Sequence, residues 1–324
     1  MLINSSKFMF LSFMIVGVMI SVSCNSWIMV WSGMELFLIS FVPFFCNYSF
    51  VSSECSMKYF LIQGLSSSIF IFSLFFLIFN SFFVFYSFFC FSLLIKLGSA
   101  PFHSWIINVV SGMGYDSLFI FFSFSKLPPL FLLSYISYNL TFFVLFCLVI
   151  GSVGGLNHSS FKKVMGFSSI FNLGFLIYLV NLGSFWLVYF FMYSFMIFSI
   201  FLFLYNYGIE YFNQLYVCGL SFFSKISFWF LFLSMGGMPP MFGFFAKLLV
   251  IEFCLVMNDY FISFFMVMLS LIVMFFYIRC CFVSLIIYSS VVKWNCLLNF
   301  FYFNLFSFFS VFFFPFGLAL SGLI

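Results

Sequence analysis

Along this chain, apolar runs of about 20 residues follow one another with barely a charge inside them, and that pattern leaves few folds open. A run of that length in hydrocarbon has to satisfy its backbone N–H and C=O groups within itself, so it becomes a helix. Dividing the chain by that length predicts about eleven membrane spans. They lie near residues 8–24, 26–46, 58–79, 82–108, 115–137, 139–157, 161–181, 183–206, 226–257, 259–282 and 296–321. The expected fold class is all-α: a polytopic integral membrane bundle. No soluble domain fits between the spans, and the longest connection before the last one, Asn206 to Lys225, is a modest loop. Composition agrees, since 66% of the residues are apolar and 5% charged, whereas a water-soluble domain carries roughly a quarter charged. The polar stretch before the first span is short and no small-residue cleavage site follows it, so that span reads as a retained helix.

The charges give an independent check on the count. With the N-terminus on one side and the connections numbered in order, Lys7, Lys58, Lys162, Lys163, Lys225 and Lys293 all fall on that side, and Arg279 joins them. The opposite side carries only Asp259. A wrong helix count would scatter the cations. Positive charge marks the side from which a chain is inserted, so the N-terminus is expected to face the compartment of synthesis.

The same inventory excludes several functions. Net charge is +4, and no basic tract is dense enough for nucleic acid. The ten cysteines are scattered, with no CxxC pair and no Cys/His cluster at metal spacing. No Rossmann fingerprint or P-loop occurs. Neither a cofactor nor a metal is therefore expected in this chain.

Four ionisable residues remain near span centres: Glu35, Lys96, Lys126 and Lys247. A charge there costs on the order of 3 kcal/mol on insertion scales. Glu35 and Lys126 sit about ten residues from either end of their spans, too deep to snorkel at about 1.5 Å per residue. Two readings stand. The charges form a static buried ion pair, or they form a proton or ion relay.

Two spans are broken beside these charges. In KLGSAPFHSW, Pro101 follows Lys96 with Gly98 between; in LSMGGMPPMFGFFAK, Pro239 and Pro240 precede Lys247. Proline frees a carbonyl and kinks a helix. Irregular backbone persists in a membrane only where it is buried in protein or lines a hydrated cavity, and broken helices in corresponding positions of two halves point to a transporter's working site. The broken spans are the fourth and ninth, five apart. Five is odd, so a second five-helix unit would be inverted relative to the first. The expected division is 1–137 and 138–282 as inverted repeats, with 283–324 as a C-terminal loop and helix. His103, just after the first break, is a further candidate: a packing residue, or a relay whose ordinary pKa of about 6.5 suits neutral pH. His158 reads as interfacial. Glu252, one turn past Lys247, either pairs with it or faces away.

Six blocks carry a family resemblance. WSGMELFLISFVP around Glu35, KYFLIQGLSSS from Lys58, KLGSAPFHSW, FSKLPPL around Lys126, GGLNHSSFKKVMGFSSIFNLGF from Gly154 and LSMGGMPPMFGFFAKLLVI occur in order over residues 25–255. Together they resemble the NADH dehydrogenase subunit 2 family, antiporter-like membrane subunits of respiratory complex I, in the shortened animal form. The resemblance implies proton translocation across the mitochondrial inner membrane, with the N-terminus in the matrix and the C-terminus in the intermembrane space. It implies that Glu35 matches the acid paired with Lys96, that Lys126 matches the connecting lysine, and that Lys247 matches the lysine of the second broken helix. NADH, FMN, iron–sulfur clusters and ubiquinone would be used by other subunits of the NADH:ubiquinone reductase. The implied partners are other membrane-arm subunits, sister antiporter-like subunits among them, and membrane lipids. The chain departs at Asn108, where the family often has an acid, and at Asn172, where a histidine is common. Two other readings compete: a stand-alone cation/proton antiporter, and a structural membrane subunit whose charges only stabilise assembly.

Overall fold

The computed structural model describes residues 5–46, 49–136, 140–217, 222–239 and 241–286. The eleventh span, Lys293 and Pro240 lie outside them. Among the described residues every regular element is a helix, and seven helical stretches are long and apolar enough to cross a membrane, one of them, Tyr115–Leu133, carrying an internal break. The chain gathers into two compact units, residues 1–143 with 180–183, and residues 144–179 with 184–324.

The first unit contains α1 (Ser5–Ser23), α2 (Trp27–Phe45), α3 (Phe50–Ile78), α4 (Phe82–Leu97), α5 (Ser104–Gly112), α6 (Tyr115–Phe122) and α7 (Leu127–Leu133). Lipid tails are as apolar as the side chains, so helices associate in membranes through close packing rather than hydrophobic exclusion. Glycine allows that approach between α1 and α2. A Cβ on Gly17 would lie 2.8 Å from the Gly33 carbonyl oxygen, and one on Gly33 would lie 2.7 Å from the Ser21 nitrogen. The interior is aromatic: Phe41, Phe45, Tyr59, Trp105 and Phe121 meet edge-on or tilted, apart from Phe41 and Phe121, which stack with ring centres 6.2 Å apart.

Three expected spans change form. The third helix begins at Phe50, two turns earlier than expected, because Ser49 caps it by accepting from the Ser52 N–H at 3.3 Å. Lys58 therefore lies within α3, paired with Glu54 one turn back. The fourth span is broken between Leu97 and Ser104, as its glycine and proline predict. The fifth is broken too, between Phe122 and Leu127, which the sequence reading did not anticipate.

The second unit contains most of α8 (Thr141–Gly154) and α9 (Phe161–Val180), followed by α10 (Phe185–Tyr207), the single turn α11 (Gln214–Val217), α12 (Phe222–Gly236), α13 (Phe242–Val256) and α14 (Tyr260–Ile286). The ninth span is the broken pair α12 and α13. Here too a glycine permits backbone contact: a Cβ on Gly151 of α8 would lie 2.5 Å from the Phe171 nitrogen of α9.

Charged and polar residues gather at the helix ends. In the first unit the charge of Lys7 acts on Asp116, and the Cys55 thiol donates to the Asn108 carbonyl at 3.4 Å. In the second, Lys162 pairs with Glu210 at 2.7 Å, and Arg279 donates to the Leu156 and His158 carbonyls at 2.7 and 3.2 Å. At the other end of this unit, the Tyr178 hydroxyl donates to Asp259 at 2.8 Å. Within each unit, alternate connections meet at one end, as the charge count requires.

Candidate functional site

In the first unit, α4 stops where Gly98 turns left-handed with φ +65°. The Ser99 N–H reaches back to the Leu94 carbonyl at 3.1 Å and the Gly98 N–H to the Ile95 carbonyl at 3.0 Å, the pairing that closes a helix at glycine. Lys96 sits in that last turn with only 8% of its surface exposed. Its Nζ lies 3.7 Å from the Met34 sulfur, a weak acceptor. Glu35 is the next residue on α2, and its field reaches the Lys96 ammonium. No direct ion pair joins them among the described residues. Instead Glu35 Oε1 is buried and accepts no hydrogen bond from the protein.

A cavity of about 20 Å³ adjoins Lys96, lined by Met34, Tyr59, Gln63, Lys96, Ser125 and Pro128 among others. One water needs roughly 10–15 Å³ of such space and two or more polar partners, so this cavity has room for a water beside the lysine. Its far wall is the break in the fifth span. Lys126, 2% exposed, stands immediately before α7, with Nζ 5.2 Å from the centre of the Phe122 ring. Pro128 and Pro129 occupy the first turn of α7, where the missing N–H has no intrahelical acceptor to lose.

His103 is half-buried, and its Nδ1 lies 3.1 Å from the Pro101 carbonyl within the same break. His158 stacks on Phe167 with ring centres 5.1 Å apart. Its burial, and then the charge of Lys163, hold that imidazole below its ordinary pKa and favour the neutral ring.

In the second unit, Gly237 interrupts the ninth span with φ +85°. Lys247, 7% exposed, bends back from α13 onto this break. Its Nζ donates to the Gly236 carbonyl at 2.6 Å and to the Met235 carbonyl at 3.3 Å, and lies 5.9 Å from the centre of the Phe171 ring. Carbonyls at the end of α12, which a continuous helix would engage, thus become acceptors for the buried cation. Glu252 faces outward from α13 while Lys247 faces inward, so the two occupy different faces.

Sequence reasoning missed a buried hydroxyl cluster in this unit. The Tyr189 hydroxyl donates to Asn172 Oδ1 at 2.8 Å. Tyr193 lies beside Tyr189, Ser169 and Asn172, and Tyr277 beside Ser168. The spacing of Tyr189 and Tyr193, four apart and so on one helix face, was the available signal. Gln63 was also missed, although an amide amid so apolar a helix was conspicuous.

Buried lysines set against helix breaks, in each of two helical units, define a class: polytopic membrane proteins equipped to hold charge inside the bilayer. Residues 79–273 match the transmembrane family described as NADH:quinone oxidoreductase/Mrp antiporter. The NADH-ubiquinone oxidoreductase chain 2 proteins of Anopheles gambiae and Aedes aegypti are each 38% identical to this chain over 290 residues, covering 85% of it and 84% of the relative. The fold is shared with a chain of respiratory complex I from Thermus thermophilus, solved with bound aureothin. That chain is 17% identical with a TM-score of 0.82, and the match covers 98% of this chain and 79% of that one. The chain belongs to the NADH-ubiquinone oxidoreductase chain 2 family.

Proposed function

We propose that this chain is a proton-translocating membrane subunit of NADH:ubiquinone oxidoreductase in the mitochondrial inner membrane, and that Glu35, Lys96, Lys126 and Lys247 carry the proton. The observation that supports this most is the binding of Lys247 to the carbonyls at the break. Two of its three N–H groups are held by fixed acceptors, which leaves one donor to pass a proton on. A lysine suits this task because burial brings the neutral amine within reach. Transfer then needs a partner within hydrogen-bond distance, directly or through a water. In the first unit the cavity between Lys96 and Ser125 supplies the space for such a water.

Electron transfer belongs to other subunits, which would hold NADH, FMN, iron–sulfur clusters and ubiquinone. The chain's partners are then the neighbouring membrane-arm subunits, with lipid around them. The inverted-repeat division and the role of His103 are part of the same reading.

Lys126→Ala, in the assembled complex, is expected to lower coupled NADH:ubiquinone turnover severalfold while NADH oxidation by an artificial acceptor stays at the parent level. An unchanged proton-to-electron ratio would make Lys126 structural. Recovery of the chain from mitochondria apart from any NADH-oxidising, ubiquinone-reducing assembly would favour the stand-alone antiporter instead.

This reading puts Lys162, Arg279 and their neighbours, which share one end of the second unit, on the matrix side, and by the charge count of the sequence it puts the N-terminus there too. Cysteines introduced at positions 58, 162, 163, 225 and 293 are therefore expected to resist an impermeant thiol reagent added to the cytoplasmic side of intact mitoplasts. Efficient labelling from that side would overturn the topology.

A further inference from the structure

We propose that Gln63 is a positioning residue for proton transfer at Lys96: its amide anchors the Lys96 backbone at the helix break and so aims the lysine at the cavity it shares with Ser125. This rests on the relay reading above.

The turn at Gly98 satisfies the carbonyls of Leu94 and Ile95. The Lys96 carbonyl comes next, one residue before the helix stops, among the terminal carbonyls that need partners from outside a regular helix. Inside a bilayer there is no bulk water to take that place. Gln63, on α3 and 7% exposed, fills it: its Nε2 donates to the Lys96 carbonyl at 3.3 Å. The bond bridges two helices and holds the peptide on which the lysine stands. If that peptide rotates, the Cα–Cβ direction of Lys96 moves with it. Gln63 also lines the cavity together with Lys96 and Ser125, so a single side chain sets both the direction of the lysine and one wall of the space it faces. A neighbour that only filled volume would need no donor.

The test uses the complete, assembled membrane complex. Gln63→Met keeps length and volume but removes the donor. It is expected to lower coupled NADH:ubiquinone turnover on the order of fivefold, the lower end of the cost of a buried unsatisfied acceptor. The proton-to-electron ratio should fall and the solvent deuterium effect on turnover should rise, while NADH oxidation by an artificial acceptor is unchanged. Gln63→Asn, whose amide is one methylene short of the carbonyl, should fall between the two. If Gln63→Met assembles and retains the parental ratio and isotope effect, the inference is wrong. If Gln63→Met does not assemble, Gln63→Asn decides: an intermediate ratio supports the inference, and a parental one overturns it. Failure of both to assemble would make Gln63 purely structural and would equally overturn it. Lys96→Met separates this inference from the reading beneath it. A parental ratio in Lys96→Met would remove the relay itself, whereas a lowered ratio there beside an unaffected Gln63→Met would remove only the role of Gln63.

Discussion

Lys247→Ala is expected to reduce coupled NADH:ubiquinone turnover on the order of tenfold or more, in line with the loss of a positioned acid–base group, while assembly and NADH oxidation by an artificial acceptor persist. Two losses coincide at this position. The proton carrier goes, and the Gly236 and Met235 carbonyls lose a charge-assisted partner that holds them at 2.6 and 3.3 Å. The acceptor assay reports the distant redox reaction alone, so a deficit confined to the coupled assay locates the fault in the membrane. Lys247→Arg would not be a conservative rescue, because a guanidinium is planar and stays protonated. A fully assembled Lys247→Ala complex with parental turnover and parental proton-to-electron ratio would leave the lysine a static counter-charge.

The second large effect is steric. A Cβ on Gly243 would stand 1.8 Å from the Ser234 carbonyl oxygen and 2.8 Å from its carbon. Both obstacles are backbone, so no rotamer change relieves the clash, and α12 would have to separate from the first turn of α13. Gly243→Ala is therefore expected to destabilise the chain by about 3 kcal/mol or more, beyond the usual range for an overpacked site. The measurement is the amount of assembled complex in native gels beside a control such as Gly64→Ala, where an added Cβ meets nothing within 4 Å. Equal abundance of the two variants would show that the ninth span does not close as described.

Gly243 also shows what could be read from the amino acids and what could not. Length and punctuation were legible. Gly98 with Pro101, and Gly237 with Pro239, mark the breaks because each residue disrupts a helix by a stated mechanism. The second break in the first unit was written the same way, as Lys126 followed by two prolines. It went unread because proline in the first turn of a helix and proline in its interior look alike in a sequence. Helix faces were not legible at all. Phe41 is 0% exposed and Phe83 is 75% exposed, yet both are phenylalanine in apolar runs. Where lipid and protein interior have the same polarity, periodicity carries no signal about which side is which. Polar residues are the exception, since burial forces them to find partners. For that reason Glu35, Lys96, Lys126 and Lys247 could be named in advance, while the partner of each backbone carbonyl could not.

The bonds of Tyr178 with Asp259 and of Arg279 with Leu156 and His158 have a mechanical consequence. They fasten α14 at two points 20 residues apart, about 30 Å along a helix axis, which is the thickness of the hydrocarbon layer. A rod pinned at both membrane faces cannot slide along the bilayer normal. Its remaining freedom is lateral, and there it packs against the broken pair α12 and α13. A displacement of that pair would therefore meet α14 as lateral pressure rather than as travel along the bilayer normal.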